Sequence, residues 1–254
     1  MKLFSLVSFL KVIKFLSSFL DSLKMKKLTI LSGAGISAES GIKTFRDSDG
    51  LWENHSVEDV ASPEGWRKDR EVVLEFYNQR RRQLHDVKPN DAHKLIADLE
   101  KHFDVQIITQ NIDDLHERAG STNILHIHGE LFKSCSCNDK SLVYEQKTDI
   151  NLGDKAEDGA QLRPFIVWFG EDVPLYQKAQ EIVNDSDILL VIGTSLQVYP
   201  AAGLLHEIKD DCLLIVINPN ETEFGYGKRA VVMKETAMNG MKLLFEKLVN
   251  LASS

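Results

Sequence analysis

LTILSGAGISAESGIKTFRDSDGLW, residues 28–52, is the stretch on which the fold turns. Leu28, Thr29, Ile30 and Leu31 form an apolar, β-prone run that stops at Ser32, Gly33, Ala34 and Gly35, and residues 36–39 read as the first turn of a helix. Strand, tight glycine turn and helix in succession suit a phosphate: glycines let the backbone come close, and the helix turns unpaired N–H groups and its positive end toward the same point. The spacing of Gly33, Gly35 and Ala38 fits the G-x-G-x-x-G/A dinucleotide fingerprint. A glycine turn between unrelated elements gives the same spacing, so the surrounding chain has to carry the assignment.

An ordinary dehydrogenase places a second strand and a ribose-binding acid about 20 residues further on. Here Lys43-Thr44-Phe45-Arg46-Asp47 and Gly50-Leu51-Trp52 follow, polar, aromatic and glycine-rich, as in a long ordered loop. GAGIS followed by a phenylalanine-arginine loop resembles the sirtuin family, the NAD-dependent protein lysine deacylases.

Outward from this stretch, residues 71–85 (EVVLEFYNQRRRQLH) and 92–102 read as helices, the first ended before Pro89 and the second capped by Asn90 and Asp91. From Val105 a rhythm sets in. Apolar runs at 105–109, 124–127, 164–168, 188–192 and 213–217 end in Gln110-Asn111-Ile112-Asp113, His128-Gly129-Glu130, Phe169-Gly170-Glu171, Gly193-Thr194-Ser195 and Asn218-Pro219-Asn220. With residues 28–31 these make six short runs without clean alternation, the pattern of buried parallel strands, whose carboxyl ends meet at one ligand crevice. Residues 175–184, 201–209 and 236–249 read as crossover helices. The expected fold is α/β: a doubly wound parallel sheet, Rossmann-like, with a small inserted helical module drawn from 56–102 and 134–162. The domain is expected to run from 25 to 254 behind an N-terminal amphipathic extension, 1–24.

The polar tails match sirtuin elements in order. TQNID, ending in Gln110, Asn111, Ile112 and Asp113, resembles the motif whose amides meet the nicotinamide ribose and whose acid holds the carboxamide; read without the family, Asn111 and Asp113 cap a helix at 115–119. His128 resembles the catalytic base, and an imidazole is suited to accept a proton near neutral pH. His126, two residues earlier, is read as structural. The resemblance further implies that Gly33, Ala34, Gly35, Ser37, Phe45, Arg46, Trp52, Gly193, Thr194, Ser195, Asn218 and Ala237 contact NAD, with Phe45 shielding the reactive sugar and Arg46 on phosphate or ribose. It implies that Val167, Phe169 and Gly170 belong to a strand that pairs with the acyl-lysine peptide. The implied reaction expels nicotinamide, transfers the acyl group to the ribose with His128 as base, and releases free lysine and O-acyl-ADP-ribose.

Tyr77 and Arg80 lie at i and i+3 on one helix face. They resemble the pair that binds the acyl carboxylate in the desuccinylase and demalonylase branch. A charge-assisted hydrogen bond of this kind is worth roughly 1.5–3 kcal/mol, enough to set acyl preference; the plain alternative is an exposed basic helix face continued by Arg81 and Arg82. The expected activity is removal of acetyl and succinyl or malonyl groups from lysine. Two other uses of the site are NAD hydrolysis or mono-ADP-ribosyl transfer, and non-catalytic NAD sensing.

Composition bounds the rest. A chain of 254 residues, 43% hydrophobic, can bury one substantial core. Net charge −8 argues against nucleic-acid binding through phosphate neutralisation and tolerates basic, lysine-bearing partners. Cys135, Cys137 and Cys212 make no disulfide framework, which points to the cytoplasm, and Cys212 reads as a buried thiol. Sirtuins usually carry two C-x2-C pairs around a structural zinc; here a single Cys-x-Cys supplies two thiols, and no metal is expected. Residues 1–24 interrupt an apolar run with Lys11 and Lys14, unlike a spanning helix or a signal peptide. A dispensable extension before a start at Met25 is expected, with weak membrane or partner contact as the alternative, and the protein is expected to be a monomer.

Overall fold

A computed structural model describes residues 25–43, 51–52, 55–220 and 230–252. The expected extension 1–24 and the expected NAD contacts Phe45 and Arg46 lie outside the described residues. In chain order the strands are β1 (Lys27–Ser32), β2 (Leu51–Trp52), β3 (His55–Ser56), β4 (Asp104–Thr109), β5 (Ile124–His126), β6 (Gly129–Ser136), β7 (Val143–Glu145), β8 (Leu162–Ile166), β9 (Ile188–Ile192), β10 (Leu213–Ile217) and β11 (Val231–Met233). The helices are α1 (Gly35–Ala38), α2 (Val57–Val60), α3 (Pro63–Lys68), α4 (Arg70–Asp86), α5 (Asp91–Leu99), α6 (Leu115–Ala119), α7 (Tyr176–Asn184) and α8 (Ala237–Ala252), with a 3-10 segment at Ala201–Glu207.

Six strands form one parallel sheet in the order β11-β10-β9-β1-β4-β5. Leu28 and Ile30 turn to one face, where they pack with Ile188, Leu190 and Ile192 against α5 and α8. Leu31, Leu189, Val191 and Val216 turn to the other face, against α7 and the 3-10 segment. Both faces are therefore apolar and covered, which is why these runs show no alternation in the sequence. Cys212 is buried in the second core.

The register carries the functional consequence. Ser32 pairs with Thr109 on one side and Ile192 on the other. Thr109 pairs with His126, Ile192 with Ile217 and Ile217 with Met233. All six strands thus end level, and the residues after them emerge along one rim. The chain order reverses between β1 and β9, so the crevice expected of an open parallel sheet lies beside Gly33 and Gly193.

One of the six expected parallel strands is placed elsewhere. The run at 164–168 forms part of β8, an edge strand antiparallel to β6 in a separate sheet of order β7-β6-β8. Pro164 has no N–H to give a central strand and is tolerated on an edge. Its place in the main sheet is taken by β11, whose Val231 and Val232 are too exposed for a buried run to be visible in the sequence.

The smaller module packs α2, α3 and α4 onto this second sheet around Trp66, Phe76, Tyr77, Leu131, Ile166 and Trp168. Asp69 caps α4 by accepting from Val72 N at 3.0 Å. Helix α5, by contrast, buries Ala92, Ile96 and Leu99 in the main-sheet core. The insert at 134–162 holds strand and turn in place of helix, tied by polar groups: Ser136 donates to Asp158 at 2.6 Å and Gln161 to the Asn151 carbonyl at 3.0 Å. Arg163 lies over the Trp168 ring, 3.3 Å from its centroid, and pairs with Glu171 at 2.8 Å.

Candidate active site

A cavity of about 480 Å³ opens along the rim and runs from the glycine turn to α4 and β8, within the range usual for small-molecule sites. Gly33, Ala34, Gly35, Ser37, Gln110, Asn111, Ile112, Asp113, Gly193, Thr194, Ser195, Asn218 and Ala237 all line it, as do His128, Tyr77, Arg80, Val167, Phe169 and Gly170. Trp52 sits in the short antiparallel pair of β2 with β3, opposite His55.

The glycines also meet a constraint set by the chain itself. A Cβ on Gly33 would meet Thr194 Cβ at 2.7 Å, and one on Gly35 would meet Gly193 Cα at 2.8 Å. Both face the β9 tail, and Gly35 N donates to the Gly193 carbonyl at 2.8 Å. Glycine is needed there so that turn and strand tail can touch. Gly193 answers with a left-handed φ of 64°. Helix α1 is a single turn, so its contribution is local N–H groups and little macrodipole.

The β4 tail is held by a chain of polar contacts. Asn111 Nδ2 donates to Ser37 Oγ at 3.2 Å, and Ser37 Oγ donates to Asp113 Oδ2 at 2.9 Å. Asp113 Oδ1 also accepts from Leu115 N at 3.2 Å, so one carboxyl holds both the start of α6 and Ser37. Burial pushes the Asp113 carboxyl up to about 6. Gln110 donates to Thr194 Oγ1 at 3.1 Å and Asn218 to the Thr194 carbonyl at 2.6 Å, joining the β4, β9 and β10 tails.

His128 reaches the cavity from the end of β5. Its Nδ1 lies 3.1 Å from the Gln110 carbonyl oxygen. A carbonyl only accepts, so the ring proton sits on Nδ1 and Nε2 is the basic nitrogen. Burial holds the imidazole below its ordinary 6.5, against the opposing effect of the Gln110 hydrogen bond. His128 is therefore neutral, a ready proton acceptor, at physiological pH.

Tyr77 is fully buried, and its hydroxyl accepts from Trp168 Nε1 at 3.1 Å. Burial raises the phenol well above its ordinary value, so it stays protonated. The Arg80 guanidinium lies over the Phe76 ring, 3.4 Å from its centroid, and donates to the Phe76 carbonyl at 2.5 Å. Residues 167–170 are not a strand. The N–H groups of Val167 and Phe169 donate to the His128 and Ala61 carbonyls, both at 2.9 Å, and that of Trp168 to Glu171 at 3.0 Å. Those three donors are therefore engaged within the chain.

A buried array beneath the turn is absent from the sequence reading. Ser32 Oγ donates to Thr109 Oγ1 and faces His116 Nε2, each at 2.9 Å. The His116 and His93 rings lie 5.0 Å apart, and Asn90 donates to the Ile36 carbonyl at 2.8 Å while capping α5 through Ala92 N. Burial pushes His93 down to about 4 and His116 well below its ordinary value, so both rings are neutral. Single polar residues in separate strands and helices gave no pattern that could link them.

The site gathers a glycine turn, amide and carboxyl groups and a neutral imidazole at the tails of one parallel sheet. A model of the Sir2 family matches residues 33–200. The chain is 57% identical to an NAD-dependent protein deacylase of Helicobacter pylori over 229 residues, covering 90% of this chain and all of the relative. It is 50% identical to one of Bacteroides thetaiotaomicron, covering 89% and 99%. Solved structures of a Sir2 homologue with NAD and of a variant Sir2 homologue with ADP-ribose superpose with TM-scores of 0.80 and 0.81, at 36% and 37% identity, covering 93% of this chain and 94% and 97% of theirs. The chain belongs to the Sir2 family.

Proposed function

We propose that the protein is an NAD-dependent protein lysine deacylase that removes acetyl and succinyl or malonyl groups, and that the residues lining the cavity hold its substrates as follows. The carrying observation is that His128, a neutral imidazole with a fixed tautomer, shares one cavity with the glycine turn, the Asn111 and Asp113 chain, and the Tyr77 and Arg80 pair.

The fit to NAD rests on chemistry present in the cavity. The turn at 33–35 offers close-packed backbone, Ser195 and Asn218 offer groups for hydroxyls, and the Asp113 carboxylate suits the N–H of a carboxamide. NAD supplies the electrophilic sugar carbon, the nicotinamide leaving group and the acceptor for the acyl group. His128 Nε2 takes the proton from a hydroxyl. Asn111, oriented by Ser37, fixes what lies against it, and Phe169, 45% exposed at the rim, covers the apolar lysine stem. Orientation and exclusion of water supply most of the acceleration.

Tyr77 and Arg80 line the cavity together with the glycine turn, and there they meet a carboxylate on the acyl chain. We place the protein in the cytoplasm as a monomer acting on acylated proteins; no helix among the described residues is long and apolar enough to cross a membrane. Incubation with NAD and acetyl-, succinyl- or malonyl-lysine peptides, following nicotinamide, tests the reading. Release that needs peptide supports it. Release without peptide indicates NAD hydrolysis, and no release indicates a binding module. Arg80→Met and Tyr77→Phe are expected to lower desuccinylation at least tenfold more than deacetylation; equal losses would remove the acyl assignment.

A further inference from the structure

The ring of His126, on the strand that delivers the base, is held at both nitrogens. Nδ1 lies 3.0 Å from the Asn111 carbonyl oxygen and Nε2 lies 2.7 Å from Glu117 Oε1. The His126 side chain is only 7% exposed. A carbonyl oxygen and an ionised carboxylate accept and do not donate. A neutral imidazole has one N–H, so it would satisfy one acceptor and turn a lone pair on the other. Only the doubly protonated ring donates to both.

We propose that His126 works as an imidazolium positioning residue, bridging Glu117 and the Asn111 carbonyl to fix the Gln110-Asn111 tail against which His128 and NAD are set. The inference rests on the deacylase reading of the cavity. His126 and His128, two residues apart, hold two consecutive carbonyls, those of Asn111 and Gln110. Their protonation states differ: His128 must keep one proton to act as a base, and His126 must keep two to hold its tether.

The surroundings favour this state. Burial acts against the His126 cation, but the hydrogen bond and charge of Glu117, the Asn111 carbonyl and Glu130 together hold it above its ordinary 6.5. Burial likewise acts against the Glu117 carboxylate, and His126 keeps it below 4.5. Among the other charged groups, Asp113 faces His126 from the β4 tail, and His116 faces it from α6 as a neutral ring. Lys133 of β6 faces Glu117 and pairs with Glu130 at 2.7 Å, which tempers both acids. As pH rises through the His126 value, the proton bridging to one acceptor is lost and the Asn111 tail loosens. An alkaline limb of activity follows that belongs to a group outside the reacting atoms.

The test uses the full chain with ¹⁵N-labelled histidine. Ring-nitrogen NMR, which needs no turnover, is expected to show His126 doubly protonated at pH 7 and its midpoint lowered by about 0.5–1 pH unit in Glu117→Gln. The alkaline limb of kcat/KM for NAD is expected to move down by the same amount in Glu117→Gln and to return in Glu117→Asp, while the acid limb set by His128 stays. A neutral His126 at pH 7, or an alkaline limb unmoved in Glu117→Gln, overturns the proposal. Absence of peptide-dependent nicotinamide release in the unmutated protein would instead refute the deacylase reading and leave the NMR result standing as a measure of His126 itself.

Discussion

His128 Nδ1 stands 3.1 Å from the Gln110 carbonyl, so the strand tail expected to bind the ribose also sets the tautomer of the base beside it. The proposed base and the proposed binding loop are one mechanical unit. Moving Gln110 moves the His128 ring.

His128→Ala is expected to lower deacylation by about 10²–10⁴-fold, the usual contribution of a positioned base. NAD binding by calorimetry should change little. Because the neutral ring is the active form and burial holds it below 6.5, the acid limb of kcat/KM should fall below pH 6.5 and vanish in the variant.

Asp113→Asn is expected to stabilise the fold while weakening NAD binding. Folded Asp113 keeps its proton to about 6, whereas its ordinary value is 3.8. The stability it contributes is present at low pH and is lost as pH rises between those values, a difference on the order of 3 kcal/mol at neutral pH. Thermal unfolding at pH 5 and pH 7.5 should show a gain for the variant at both, larger at the higher pH.

Gly193→Ala places a Cβ 2.2 Å from Ile36 N at a left-handed φ of 64°. Conformational strain and overpacking together should cost about 2–5 kcal/mol in chemical denaturation. Gly153→Ala, with φ 99° but nothing within 4 Å of its Cβ, isolates the strain and should cost about 1–2 kcal/mol.

Glu171→Ala leaves the Arg163 guanidinium buried without its carboxylate, at an expected cost of about 3–5 kcal/mol. Burial acts to raise the Glu171 carboxyl, yet Arg163 and Lys140 hold it below 4.5. Its stabilisation is therefore present above that value and is lost as pH falls through the lower folded value. The variant should show a flatter stability profile in acid.

Metal analysis of protein purified without chelator is expected to find well under one zinc per chain. Burial pushes the Cys135 thiol up to about 11 and raises that of Cys137, so both favour the protonated form that does not bind metal. No group of three metal-ligating side chains occurs among the described residues.

The sequence by itself determined five of the six parallel strands and the polar tails that line the cavity at their ends, because buried strands and their tails are written in consecutive residues. It also placed Tyr77 beside Arg80, since helical spacing is local. What only the tertiary structure decided lies between elements. Pro164 belongs to an edge of the second sheet, α5 packs on the first, and Gly33 and Gly35 are glycines for the sake of Gly193 and Thr194. His126, an ordinary core histidine on its strand, meets two acceptors only once Asn111 and Glu117 are brought to it. Residues far apart in the chain acquire their charge states from neighbours that no local pattern records.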